Sequence, residues 1–305
     1  MCSDFVHEDV RVRVFVAATP AEWLPMRVLE FSIRETSSLP VEVSAIYTFG
    51  RPIPLPLTLE NRPRTPFSFQ RFLIPELCGF SGRAIYLDAD MQVFKDIAGL
   101  WNQPFSDNDL LTVSGAGDGR RSQFSVMLLD CLRLNWRVED IVAALDRGEL
   151  DYTSLMFEMR VAKKIGHIIP QEWNSLEHFV PHETALLHYT DMNTQPWISN
   201  TNRNGHLWVA CLRRALQAGF ITRDDVLRAV GEGHVRPSLV YQLDSGADDV
   251  QGMPLNILRQ DLKFSAPFHG LNKSRRARFY SSIHNFSEFI RCCYLRSSLS
   301  RLLGS

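Results

Sequence analysis

Apolar positions along the chain fall into short continuous runs that alternate with stretches of helical spacing. "VRVFVAA", residues 12–18, is rich in β-branched residues and almost unbroken in its apolar positions, the pattern of a strand buried on both faces. Thr19-Pro20 breaks it, and "EWLPMRVLEFSIRETS" then sets Leu24, Val28, Phe31 and Ile33 at roughly helical intervals. "VEVSAIYTF" reads as a second strand. Strand, helix and strand within about 50 residues make a βαβ unit, which predicts an α/β fold with a mainly parallel sheet flanked by helices. Farther on, "FSFQRFLIPELCGF" suits a helix, "RAIYLDAD" a strand, and "DLLTVSG" and "FSVMLLDC" two more strands around the Gly-rich loop "GAGDGRR". "VEDIVAALDRGELDYTSLMFEMRVAKK" has the spacing of a long helix, "ALLHYTD" of a late strand, and "GHLWVACLRRALQAGF" with "TRDDVLRAVGEG" of a helical pair.

The character of the chain changes near residue 244, which divides it into a domain over 1–243 and a C-terminal extension over 244–305. The extension opens with the acidic "DSGADDVQG". From Asn272 it carries Lys273, Arg275, Arg276, Arg278, Arg291, Arg296 and Arg301 against the single acid Glu288, with Phe279, Tyr280, Phe286, Phe289, Ile290 and Tyr294 interleaved. Such a tail can lie on an anionic membrane surface, each cation contributing about 1 kcal/mol there, or pack as a solvated basic face through Phe286, Phe289 and Ile290.

Charge and composition narrow the picture. The 305 residues are 45% hydrophobic, enough for a substantial core, and carry a formal net charge of −1, so no global basic field argues for nucleic acid. Six cysteines are scattered without metal-site spacing or disulfide density, which fits a reducing compartment. The start "MCSDFVHEDV" carries acids where a leader would carry lysines, and no uncharged apolar run reaches about 18 residues. A cytoplasmic location is expected, with peripheral contact at the inner face of a membrane through residues 272–305.

The candidate chemistry lies in "AIYLDADMQVFKDI", residues 84–97, where a buried strand ends in two carboxylates. If the strand continues through them, Asp88 and Asp90 point to one face at its C-terminal end, where ligands bind in open α/β sheets. Two such charges repel and lose hydration, and a divalent cation removes both costs. Oxygen ligands suit Mg²⁺ or Mn²⁺, and an added imidazole favours Mn²⁺. Asp-x-Asp is common by chance; its place after "AIYL" is what makes it informative.

Over residues 65–101, "TPFSFQRFLIPELCGFSGRAIYLDADMQVFKDIAGLW" closely resembles the metal-binding region of family 8 glycosyltransferases, which have the GT-A fold and bind a nucleotide-sugar over a Rossmann-like sheet. The likeness runs from about residue 11 to residue 197. It implies that Asp88 and Asp90 hold the metal, that Asp88 also approaches the donor ribose and sugar, and that His188 of "LLHYTDMNTQPW" completes the metal site. It further implies that Ala17, Ala18 and Thr19 let uracil and ribose lie against the backbone, and that Arg71 sits near the donor sugar. Asp151 of "ELDYTSLMFE" matches the aspartate of a pair facing the anomeric carbon, while Asn174 of "IIPQEWNSL" matches an asparagine beneath the active site.

Several positions depart from the family pattern. Gln195 stands where a lysine contacts the diphosphate, one residue farther from the histidine, and a neutral amide can hydrogen-bond a phosphate without neutralising it. Gln123 takes an asparagine position, Ser125 a glycine position and Tyr152 a glutamine position. The resemblance therefore implies a metal-dependent glycosyltransferase that uses a UDP-sugar, with Mn²⁺ or Mg²⁺, to modify a glycan or lipid-linked acceptor with retention of configuration. Asp151 and Gln123 are its candidate catalytic residues. A non-catalytic nucleotide-sugar-binding scaffold, or a metal-dependent nucleotidyltransferase or phosphohydrolase, are the alternatives.

Overall fold

The first apolar run forms strand β1 (Val12–Ala17) of a sheet whose two faces are both buried, as its unbroken hydrophobicity requires. The structure, a computed structural model, describes residues 11–114, 124–247 and 253–268. After β1 come α1 (Trp23–Thr36), β2 (Val41–Ala45), α2 (Ile74–Leu77), β3 (Arg83–Asp88), β4 (Met91–Val93), α3 (Ala98–Trp101) and β5 (Leu110–Val113). Next are β6 (Val126–Asp130), α4 (Val138–Asp146), α5 (Tyr152–Met156), β7 (Ile165–Ile169), β8 (Ser175–Leu176) and β9 (Leu186–His188). Helices α6 (Gly205–Gln217), α7 (Arg223–Gly231), α8 (Ser238–Ser245) and α9 (Leu255–Asp261) follow.

The main sheet has the order β2-β1-β3-β6-β5-β7. β1 is parallel to β2 and β3, and β5 to β7, whereas β6 runs antiparallel to both of its neighbours. The predicted α/β architecture with a mainly parallel sheet is thus present, with one reversed strand. Chain order turns at β1: β2 lies on one side and β3 on the other, so a switch-point crevice opens at their C-terminal ends. Strands β4, β8 and β9 form a second sheet.

Period-2 alternation puts Phe15, Ala17, Ala84, Tyr86, Met127 and Leu129 into one buried cluster. Helix α4 joins it through Val138, Ile141, Val142 and Leu145, spaced three, four and seven residues from the first, which is one helical face. Each fully buried aliphatic chain of this kind contributes about 1.5–3 kcal/mol.

Several expected elements differ in extent. The segment "FSFQRFLIPELCGF" makes a 3-10 turn over Gln70–Leu73 that runs into the one-turn α2, closed by Gly79 at φ 61°. The predicted long helix from residue 138 stops at Asp146, because Gly148 takes φ 73° and Asp151 then caps a separate helix. The stretch ends at Lys164, and β7, a five-residue strand to which the sequence pattern assigns no element, follows directly. "VEVSAIYTF" divides into β2 and a 3-10 turn, Ile46–Phe49, ended by Gly50 at φ 62°.

Two units emerge from the pattern of contacts. One comprises the described residues to Pro20, Ser32–Ser175 and Phe179–His188; the other comprises Ala21–Phe31, Leu176–His178 and the described residues from Tyr189 onward. The boundary expected at residue 243 falls inside α8, and the basic tail, residues 272–305, lies outside the described residues. In the second unit Arg236 is fully buried. Its Nε donates to the Pro196 carbonyl at 2.9 Å and its Nη1 to Ser238 Oγ at 2.6 Å. Burial lowers Arg236 to about 10, so it remains protonated at neutral pH and holds the Pro196-Trp197 turn in place. Among the described residues no helix is long and apolar enough to cross a membrane.

Candidate metal centre

Strand β3 delivers Asp88 to the switch-point crevice, where it is the register partner of Ala17 on β1. Tyr86, two residues earlier and therefore on the same face, donates its hydroxyl to Asp88 Oδ1 at 2.5 Å. β3 ends there, so strand alternation does not bring Asp90 beside Asp88 as the sequence suggested. The chain bends through Ala89-Asp90 and enters β4, whose first residue, Met91, pairs with His188 of β9. That antiparallel pairing closes the site. Asp90 Oδ1 lies 3.0 Å from His188 Nε2, and ligand atoms of Asp88, Asp90 and His188 all lie within 4.8 Å of one another.

The electrostatics favour a cation in this cluster. The side chains of Asp88, Asp90 and His188 are 15%, 21% and 4% exposed, so little water screens them. Burial pushes the Asp88 carboxyl up and the Asp90 charge pushes the same way, against the pull of Arg71, His188 and the Tyr86 hydroxyl. Two carboxylate oxygens and one imidazole nitrogen are a fitting donor set for Mn²⁺ or Mg²⁺. His188 is fixed from behind: its Nδ1 lies 2.9 Å from Asn174 Oδ1.

The other predicted residues occupy varied positions. Arg71 is buried beside the pair, Nη2 3.7 Å from Asp88 Oδ1 and its guanidinium 4.6 Å from the Tyr86 ring centre. Its Nε and Nη1 donate to the carbonyls of Ser68 and Phe124, at 3.1 and 3.0 Å. Phe124 has φ 50°, a left-handed conformation costly for a residue with a side chain, and the Arg71 bond holds it there. Ala17 and Ala18 are fully buried, and half-buried Thr19 follows them. Asp151 is exposed; it accepts from the Ser154 N–H at 2.7 Å, and this bond holds its carboxyl below the usual range. Gln195, in the second unit, is buried with its amide donating to the Tyr189 carbonyl at 3.0 Å. Gln123 lies outside the described residues.

Two contributors escaped the sequence reading. Gln70 brackets Ala18, its Oε1 accepting from the Ala18 N–H at 3.0 Å and its Nε2 donating to the Ala18 carbonyl at 2.8 Å. Nothing local in the sequence announces a bond across 52 positions. Tyr86 could have been found, since the same alternation that marks a strand face places it with Asp88.

Known proteins share part of this sequence and the fold. Residues 57–125 match the family model Glycosyl transferase family 8. Protein CDI of Arabidopsis thaliana is 35% identical over 101 residues, which are 32% of this chain and 38% of that protein's length. The structure of the glycosyltransferase GlyE of Streptococcus pneumoniae TIGR4 aligns with a TM-score of 0.50 at 14% identity, covering 68% of this chain and 64% of that one. The galactosyltransferase LgtC, solved with donor and acceptor sugar analogs, aligns with a TM-score of 0.47 at 12% identity, over 69% of this chain and 96% of that one. The chain therefore carries a family 8-like glycosyltransferase segment, on a GT-A-type α/β fold.

Because burial raises Asp88 above its ordinary 3.8, its contribution to stability is fully present below that value and is lost as pH rises through the raised one. In chelator at neutral pH, Asp88→Asn, which retains an acceptor for Tyr86, should melt above the wild type. The gap should narrow as pH falls toward 3.8. Saturating Mn²⁺ should stabilise the wild type and leave the variant unmoved, as read by thermal unfolding.

Proposed function

We propose that this chain, family 8-like over residues 57–125, is a divalent-metal-dependent glycosyltransferase that takes its sugar from a UDP-sugar. It passes that sugar to a glycan or lipid-linked acceptor with retention of anomeric configuration. The observation that carries the reading is the convergence of Asp88, Asp90 and His188 within 4.8 Å at the switch-point end of the sheet. These three residues would hold the ion, Mn²⁺ in preference to Mg²⁺ because of the imidazole. When bound, the ion supplies positive charge against the departing nucleoside diphosphate.

The residues of the chain do the rest. Ala17, Ala18 and Thr19 line the place for base and ribose, and the Gln70 bracket keeps that strand end from shifting. Asp88, beside Ala17 in register, stands where ribose and sugar meet the metal ligands. Arg71 offsets its charge and holds the Phe124 turn. Asp151, whose carboxyl ionises below the usual range, is the carboxylate assigned to the electron-poor anomeric centre that forms as the diphosphate leaves. Gln123 is assigned to the sugar hydroxyls and Gln195 to a phosphate oxygen, both on sequence position alone. The basic tail, residues 272–305, is assigned a peripheral contact with an anionic membrane.

One observation favours a second reading, a non-catalytic nucleotide-sugar-binding protein. Gln195 has no charge, and its amide is engaged with Tyr189. The diphosphate would then lack the cation that the family pattern supplies from this position.

UDP-sugar with Mn²⁺, at about a hundred times its Kd, should stabilise the protein by roughly 2.7 kcal/mol over chelator, a shift of several degrees. Asp90→Ala should abolish both this shift and any transfer or donor hydrolysis. Absence of a shift with any nucleotide rules out the donor site, and a shift without turnover selects the non-catalytic reading. Asp151→Asn should keep the helix cap, since Asn caps about as well as Asp, but slow transfer at least about a hundredfold; an unchanged rate reduces Asp151 to a helix cap. Removing residues 272–305 should weaken co-sedimentation with anionic vesicles, and equal binding would exclude the tail as the membrane contact.

A further inference from the structure

His188 faces the two carboxylates through one ring nitrogen and is tied down through the other. Its Nε2 is 3.0 Å from Asp90 Oδ1, and its Nδ1 is 2.9 Å from Asn174 Oδ1. An amide oxygen can only accept, so the ring hydrogen at that contact must sit on Nδ1. A neutral imidazole has one such hydrogen. Its Nε2 then presents a bare lone pair to a carboxylate oxygen, a repulsion that either a second ring proton or a cation between them removes. The opposite tautomer would place Nε2–H against Asp90 and leave Nδ1 and the Asn174 oxygen as two facing acceptors.

We propose that Asn174 is the positioning residue of the metal centre: by accepting the Nδ1 hydrogen it selects the tautomer of His188 whose Nε2 can bind a divalent cation with Asp88 and Asp90. The inference rests on the metal reading above and assigns the asparagine a task within it. Ligating histidines are commonly oriented in this way by an outer hydrogen bond.

The fold gives Asn174 a firm base for this role. It ends the 3-10 turn Gln171–Asn174, in which the Trp173 N–H bonds the Pro170 carbonyl at 3.0 Å. The Glu172 carbonyl accepts from the Ala185 N–H at 2.9 Å, joining the turn to the residue just before β9, and Lys95 reaches the Glu172 carboxylate at 3.2 Å. Trp173 is buried, and a Cβ on Gly99 would come within 3.3 Å of its Cζ2. Asn174 and His188 are therefore set on two segments that are bonded to each other.

The experiment uses the full-length protein with ¹⁵N-labelled histidine, the His188 signals being identified by their loss in His188→Gln. Nitrogen chemical shifts, recorded without metal, report which ring nitrogen carries the hydrogen. Mn²⁺ uptake without nucleotide is followed by loss of the free-ion electron paramagnetic resonance signal. The wild type should show hydrogen on Nδ1. Asn174→Leu should move it toward Nε2 and weaken Mn²⁺ binding by about 10–100-fold. Asn174→Asp, which still accepts, should keep the Nδ1 hydrogen and bind Mn²⁺ within a few-fold of the wild type. A wild type with hydrogen on Nε2, or an Asn174→Leu variant that binds Mn²⁺ as tightly, overturns the role of Asn174 alone. A wild type that takes up no Mn²⁺ overturns the metal reading itself, and the proposal with it.

Discussion

Two like charges brought together where water is scarce set the terms for this structure. At the end of β3, Asp88 loses most of its hydration and faces Asp90, and each effect works against ionising Asp88. The surroundings answer in parts. Tyr86 donates to one oxygen, Arg71 stands 3.7 Å away with two of its donors committed to carbonyls, and His188 approaches from the facing strand. These partners orient the carboxylates without cancelling their combined charge. The remainder is negative charge of the kind that a divalent ion would neutralise.

Much of this was legible because simple periodicities carried it. Nearly unbroken apolar runs in "VRVFVAA" and "AIYLD" identify the strands whose C-terminal ends lie side by side, and Ala17 and Asp88 are indeed register partners. The helical face of Val138, Ile141, Val142 and Leu145 is equally plain. What periodicity could not convey is where a pattern stops. β3 ends at Asp88, two residues short of Asp90, and Asp90 meets Asp88 through a bend and a separate strand pairing. The long helical reading failed at Gly148 for the same reason: backbone geometry at one residue outweighed the spacing of its neighbours.

The site residues divide by the range of the contacts that position them. Asp88 and Tyr86 need only their own strand, and the capping of α5 by Asp151 is local chemistry that a helix start advertises. Gln70 on Ala18 and Asn174 on His188 are side-chain bonds between distant segments, which no local pattern encodes. Gln195 shows the converse. Its sequence context suggests phosphate, while its environment gives the amide a backbone carbonyl and a buried place in the second unit.

The pairing of β4 with β9 has a consequence for how the protein comes into being. The segment that matches the family model, residues 57–125, contains both aspartates but not His188, which lies 100 positions after Asp88. During synthesis the carboxylates emerge long before their imidazole, at some 5–20 residues per second. Until Met91 can pair with His188, the nascent chain holds only the repelling half of the centre. Completion of the site is therefore a late, long-range event in folding, and a fragment ending within the recognisable segment would carry the signature without the ligand set.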